Sequence, residues 1–301
     1  MSSIGIIYFS AVGTTKVAAE LLAELLERRL EISNSSIEGT RVSLVSIEEK
    51  EALSVVIEAG LLVFCYPTYY LKPAHPMRLF TAGLPSFEAP KPCYIITTCE
   101  LYSENSLRQL AKILAAKGLV ASGWKALRAP GSDVTAVLDA RLVPWLYRFG
   151  RGFEKGLHLA AEEILIAAAD KKSSSPRLPP PLWYTPLSQL LQILALNHFD
   201  LVKYRLRALD ERCSRCGLCV ADCPAQAIMM GKNGVQIKAR QCLLCCRCVH
   251  GCPQRAIILS KRLKDNRRID TALLAGLKAK ARITLALDTE HTCQGTAQER
   301  S

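Results

Sequence analysis

Cysteine is the residue type in this chain whose spacing points most directly to chemistry. Thirteen are present, and nine of them lie between Cys213 and Cys252. Two runs in that stretch share the form C-x2-C-x2-C-x3-C-P. The first is Cys213, Cys216, Cys219, Cys223 and Pro224; the second is Cys242, Cys245, Cys248, Cys252 and Pro253. A four-iron cube has one iron at each of four corners, and each iron needs a thiolate. Cysteines at two-residue gaps wrap three corners in one tight turn, and the fourth cysteine of the run points away. Zinc also takes C-x2-C pairs, but four cysteines in one continuous run ending in x3-C-P favour iron–sulfur chemistry. Cys246 is extra to the pattern and is expected to be a buried bystander. Cys65, Cys93, Cys99 and Cys293 are scattered, as small buried hydrophobes are.

The segment 211–260 resembles the two-[4Fe–4S] ferredoxin family, in which the fourth cysteine of each run ligates the other cluster. That resemblance implies one cluster on Cys213, Cys216, Cys219 and Cys252. It implies a second on Cys242, Cys245, Cys248 and Cys223. Low-potential one-electron transfer would follow. The stretches AQAIMM and RAIILS after the two prolines read as short helix-to-strand segments that shield the clusters.

A second constellation lies near the N-terminus, where an apolar run ends in Ser10-Ala11-Val12-Gly13-Thr14-Thr15 and a helical pattern begins at once. A phosphate at such a turn meets backbone N–H groups and the positive end of a helix dipole. The glycine pattern is neither G-x-G-x-x-G nor a Walker A loop. IIYFSAVGTT resembles the flavodoxin phosphate loop that cradles FMN, with Ser10, Gly13 and Thr15 at matching positions. Val12 stands where that family usually has Thr, and the lost hydroxyl donor weakens phosphate binding by about 1 kcal/mol. The resemblance implies two further flavin loops. Pro67, Thr68 and Tyr69 or Tyr70 follow the third apolar run, with an aromatic face for the ring. Thr98, Cys99, Glu100 and Tyr102 follow the fourth, a loop without the family's glycines. Cys99 has no evident base beside it for a nucleophilic role.

These loops need strands and helices to hold them. Residues 3–9, 41–47, 60–66, 93–98 and 119–124 are apolar, strand-like runs. They alternate with helical patterns at 16–30, 49–58, 73–83, 103–118 and 151–170. The expected fold is α/β: a flavodoxin-like five-stranded parallel sheet covered on both faces, followed by a small α+β two-[4Fe–4S] ferredoxin domain. The expected division is 1–170 for an FMN-binding domain and 171–210 for a Pro-rich linker and connecting helix, with the helix over 185–210. The ferredoxin domain follows at 211–261, then a basic extension at 262–301 with a disordered tail from residue 291. The layout as a whole resembles a flavodoxin–ferredoxin fusion family.

Charge is unevenly spread. Residues 1–170 sum to −1, whereas 171–301 sum to +13. The basic residues are dispersed rather than set in an aromatic-interleaved stripe, which argues against nucleic acid and for an acidic redox partner. No apolar run approaches the roughly 20 residues of a membrane span, and MSSIGIIYFS has no signal-peptide pattern, so a cytoplasmic location is expected. The five histidines are isolated, and Glu162 and Glu163 read as a solvated helix face. The expected function is electron transfer between FMN, two [4Fe–4S] clusters and an external protein. The alternatives are a flavin-dependent reductase of a small organic substrate fed by the clusters, and a ferredoxin with a flavin-free docking domain.

Overall fold

The computed structural model describes residues 3–32, 39–69, 71–100, 102–103, 105–137, 141, 144–170, 178–181, 190, 206–232, 234–261 and 264–298. Its N-terminal half is built on β1 (Ser3–Tyr8), β2 (Arg41–Ser46), β3 (Leu61–Tyr69), the two-residue β4 (Lys72–Pro73), β5 (Lys91–Cys99) and β6 (Leu119–Arg128). The long strands pair in parallel in the order β2-β1-β3-β5-β6, and β4 folds back antiparallel on the end of β3. With β4 set aside this is the 2-1-3-4-5 order of flavodoxin-like sheets, which leave a ligand crevice at the carboxyl ends of the strands beside the β1/β3 switch point.

Side chains alternate across the sheet, so each strand feeds two cores. Ile4, Ile6, Tyr8, Val63 and Ile96 face α1 (Thr14–Ile32) and α6 (Phe153–Ala169). Ile7, Phe9, Leu62, Phe64 and Ile95 face α2 (Ala52–Glu58), α3 (His75–Ala82) and α4 (Ser106–Ala115). Between β6 and α6 the chain forms the short helix α5 (Ser132–Val137) and a 3-10 turn at Pro144–Tyr147. Glu163 departs from its expected solvated role: it accepts from the Tyr94 hydroxyl at 2.6 Å and from Lys125 Nζ at 2.8 Å, tying α6 to the sheet.

The second half starts, among the described residues, at Leu206. The linker at 171–177 and most of the helix expected over 185–210 lie outside the described residues. The end of that expected helix is instead strand β7 (Arg207–Ala208), antiparallel to β10 (Ile257–Ile258). Isoleucines 257 and 258 are fully buried and need a partner for their backbone polar groups, which overrides helical propensity at 207–208. A hairpin joins β8 (Ile228–Gly231) and β9 (Gly234–Ile237). The short helices α7 (Leu218–Ala221) and α8 (Arg247–Gly251) each start within a cysteine run.

Beyond residue 270 the structure is more ordered than expected from the sequence. One helix, α9 (Thr271–Gln298), extends through most of the residues expected as a disordered tail. It lies along α1: Lys278 Nζ reaches Glu20 Oε2 at 2.6 Å and Glu24 Oε1 at 3.1 Å, and Arg282 grips both oxygens of Glu24. Ala281 and Leu285 enter the core between α1 and α6.

Candidate functional site

The repeat in the sequence is a repeat in backbone geometry. Left-handed residues occur in matched pairs: Arg215 with Leu244 (φ 55° and 48°), Gly217 with Cys246 (80° and 56°), and Gln226 with Arg255 (both 50°). Each pair sits at the same offset in its run. Cys246 is therefore the counterpart of a glycine, forced into a conformation that L-residues rarely adopt. Its side chain is buried with Leu206, Leu244, Val249 and Ile257, in keeping with a bystander. Hydrogen bonds are matched too. The amide of Cys213 donates to Leu209 O and that of Cys242 to Lys238 O, both at 3.1 Å. The amide of Ala227 donates to Cys223 Sγ at 3.2 Å, and that of Ala256 to Cys252 Sγ at 3.3 Å.

The cysteines of the two runs lie close to one another, and Cys248 has Cys245, Cys242, Cys223 and Cys219 among its neighbours. The Cys219 thiol is held above its usual range by burial, and next by the thiolates of Cys252, Cys213 and Cys216 beside it. Burial pushes the Cys245 thiol up to about 11, and its thiolate neighbours are Cys242 and Cys223. Among the described residues no three His, Cys, Asp or Glu side chains converge closely enough for a single ion; a cube needs its thiolates further apart, each on its own iron. The groups differ in environment. Cys216 is exposed, whereas Cys245 is 9 % exposed and packs into the core shared by Phe9, Tyr66 and Tyr69 of the α/β half.

Arg247, between Cys246 and Cys248, was not singled out in the sequence. Its guanidinium uses all five N–H groups, four of them across the junction of the two halves. Nε donates to Ala11 O (3.0 Å) and Nη2 to Ser10 O (2.9 Å). Nη1 reaches Asp222 O (3.1 Å), and the fork closes on Glu48 Oε1 and Oε2 (2.7 and 2.8 Å). The cation also lies 5.5 Å from the centre of the Phe9 ring.

The three loops expected to hold flavin converge at the carboxyl ends of β1, β3 and β5. Val12, Thr14, Thr15, Pro67, Thr68, Tyr69, Thr98, Cys99 and Glu100 line one cleft. Ser10 and Gly13 do not line it; the Gly13 amide donates to Ser10 Oγ at 3.0 Å, with Gly13 at φ 98°. Tyr102 is exposed and does not line the cleft, and Tyr70 lies outside the described residues. A fourth wall, unforeseen in the sequence, is formed by Ala129, Pro130, Gly131, Ser132 and Asp133.

The loop positions suit a flavin, but the space between them does not. The cleft has a volume of about 40 Å³, enough for a few waters, while ligand pockets start at about 300 Å³. Hydroxyls that would meet a phosphate are bonded to each other, Thr15 Oγ1 to Thr98 Oγ1 at 2.7 Å and Thr68 Oγ1 to Thr97 Oγ1 at 2.8 Å. Glu100 faces the same space. Burial, and then the Asp133 carboxylate, push its carboxyl up to about 8. Cys99 is pushed up to about 11 by burial and stays a thiol at neutral pH. In the arrangement described, FMN does not fit.

Residues 205–261 match the family of 4Fe–4S dicluster domains. No curated protein matches the chain. Among solved structures, a short-chain flavodoxin associated with a bacterial microcompartment is similar at 13% identity, covering 56% of this chain and all of its own, with a TM-score of 0.40. A Streptococcus pneumoniae flavodoxin is similar at 14% identity (55% of this chain, 99% of its own, TM-score 0.38), and an archaeal flavodoxin at 16% (55%, 96%, 0.37). Strand order, rather than these distant likenesses, defines the N-terminal fold. The chain thus joins a flavodoxin-like α/β domain to a 4Fe–4S dicluster domain. Among the described residues no helix is long and apolar enough to cross a membrane.

Proposed function

We propose that this chain is an iron–sulfur electron-transfer protein, with one [4Fe–4S] cluster on Cys213, Cys216, Cys219 and Cys252 and the other on Cys242, Cys245, Cys248 and Cys223. The observation that carries the proposal is the doubled cysteine run with its matched backbone turns, and the nearness of Cys252 to Cys219 and of Cys223 to Cys245 supports the exchange of fourth ligands. Bound there, the clusters take and give single electrons. The chain's own part is to hold the thiolates and tune them. Amides of Ala227, Leu244 and Ala256 donate to Cys223, Cys242 and Cys252 sulfurs, which stabilises the more negative reduced state and raises its potential. Exposed Cys216 marks the end open to an external partner, and buried Cys245 the end turned to the α/β domain. The excess of positive charge in the second half suits an acidic redox protein.

The sequence adds FMN at the α/β cleft, which would make the protein an iron–sulfur flavoprotein. The convergence of the three loops on one cleft supports that reading. The small cleft volume favours the alternative, a dicluster protein with a flavin-free docking domain. Iron, sulfide and flavin counts on anaerobically purified protein test both. About eight irons and eight sulfides per chain are expected, with EPR signals after dithionite. Stoichiometric zinc in colourless protein sinks the proposal.

A further inference from the structure

The fourth wall of the cleft is anchored in the other domain. His250 lies on α8 between the ligand candidates Cys248 and Cys252. The amide of Ile269 donates to its Nδ1 at 3.0 Å, so the ring proton is on Nε2, which donates to Ser132 O at 2.8 Å. Asn266 Nδ2 donates to Thr135 O at 3.1 Å. Ala136, one residue further along α5, is buried among Leu244, Cys246 and Val249 of the dicluster domain. A segment of the α/β half is thus docked into the core of the dicluster half.

The closed wall also leaves a polar atom unsatisfied on the cleft side. Glu100 Oε1 is buried with no hydrogen-bond partner, while Oε2 is pressed against Gly131, where a Cβ would lie 2.6 Å away. Ser132, 3 % exposed, turns its hydroxyl toward Tyr69. Both residues line the cleft. Burying the Glu100 carboxyl short of a partner disfavours closure, so the wall stays shut because of what grips it from outside.

We propose that residues 129–137 form a lid over the α/β cleft, latched shut by His250 and Asn266 of the dicluster half, and that a phosphorylated flavin enters when this latch releases. This inference rests on the reading of the cleft as a flavin site. Its physical content is a population: the apparent affinity for the ligand equals the affinity of the open form scaled by the fraction of molecules that are open. Because α8 carries the latch between two cluster ligands, and cluster binding is linked to the folding of such domains, the lid is tied to whether the dicluster domain is assembled.

The test is anaerobic titration of FMN, followed by quenching of its fluorescence, against the full cluster-loaded chain and two variants. His250→Leu removes the bond to Ser132. Asn266→Ala removes the milder bond to Thr135 and serves if His250→Leu fails to retain its iron. Cluster absorbance and iron content verify that each variant is loaded. The expected result is that FMN binds about tenfold tighter to His250→Leu, and about two- to tenfold tighter to Asn266→Ala, than to wild type. Equal, measurable affinity in all three proteins overturns the latch and leaves the flavin reading standing. No FMN binding by any of them overturns the flavin reading, and the latch with it.

Discussion

Replacing Arg247 by Met should separate the two halves without unfolding either. Met keeps the volume of the stem and deletes the five donors. Two bonds cross directly to the phosphate-loop carbonyls of Ser10 and Ala11. Charge-assisted bonds of this kind, exchanged for water on undocking, are worth about 1 kcal/mol each. The fork on Glu48 adds less, about 0.5 kcal/mol, because that carboxylate is 42% exposed. The cation over Phe9 contributes about 0.5 kcal/mol. Loss of docking free energy should therefore be about 3 kcal/mol; the bond to the Asp222 carbonyl lies within the dicluster half and does not enter. Glu48→Gln should cost under about 1 kcal/mol, since the carbonyl bonds survive. Arg247→Lys, with a point charge in place of a planar fork, should restore less than half of the loss. The assay is anaerobic urea unfolding followed by tryptophan fluorescence for the α/β half and by cluster absorbance for the other. In wild type the two probes should move together; in Arg247→Met they should part. If Arg247→Met behaves like Glu48→Gln, with both probes still coincident, the backbone bonds do not hold the interface and the reasoning fails.

Three further perturbations test other links. Cys252→Ser and Cys213→Ser should abolish the same EPR signal and about four irons, whereas Cys223→Ser should match Cys242→Ser; grouping by run instead would refute the exchange. Glu100 has a folded-state value of about 8 against a model-compound 4.5, so the folded state keeps a proton that the unfolded chain loses. This penalty is absent below pH 4.5 and complete above pH 8, and stability falls as pH rises between them. Discounted for partial exposure, Glu100→Gln should gain about 2 kcal/mol at pH 8.5 and almost nothing near pH 5; an equal gain at both pH values, read from urea midpoints, counts against the buried proton. Gly13→Ala should cost at least about 1–2 kcal/mol from the left-handed backbone alone. An added Cβ would also lie 2.4 Å from Leu274 Cδ1, so Leu274→Ala in the same chain should recover the steric share and leave the backbone share.

Periodicity exposed the sheet because each strand is buried on both faces and reads as an unbroken apolar run such as SIGIIY or LLVFCY. Cysteine spacing exposed the dicluster domain because a cube tolerates little variation in where its ligands come from along the chain. What escaped the sequence were contacts whose partners are far apart. Arg247 and Ser10 are separated by 237 residues, and nothing local to either marks the pairing. The lid sits in a stretch with neither helical nor strand periodicity, because α5 has six residues and its buried Ala136 packs against another domain. His250 looked isolated for the same reason: its partners, Ser132 and Ile269, approach from both directions along the chain. The loop at 10–15 has a motif, but the closure of the cleft beside it depends on a wall that has none.

The asymmetry between the two thiol groups gives the arrangement a direction. Reduction adds a negative charge, and placing it beside Cys245, buried against the α/β core, is harder than placing it beside exposed Cys216. The inner group is the one that carries Arg247, whose cation neighbours Cys245 and offsets that penalty. The same side chain therefore serves two ends: it fixes the dicluster domain on the turn at Ser10 and Ala11, and its charge would keep a cluster bound at the buried group reducible. A lysine cannot do both, because a single ammonium cannot reach Ser10, Ala11 and Glu48 together. Holding the inner group against Tyr69 places it one side chain from the cleft, whereas the outer group faces water. With clusters bound as proposed, the accessible centre would face an external partner and the sheltered one the chain's own α/β domain. That is a physical reason for the two modules to share one chain.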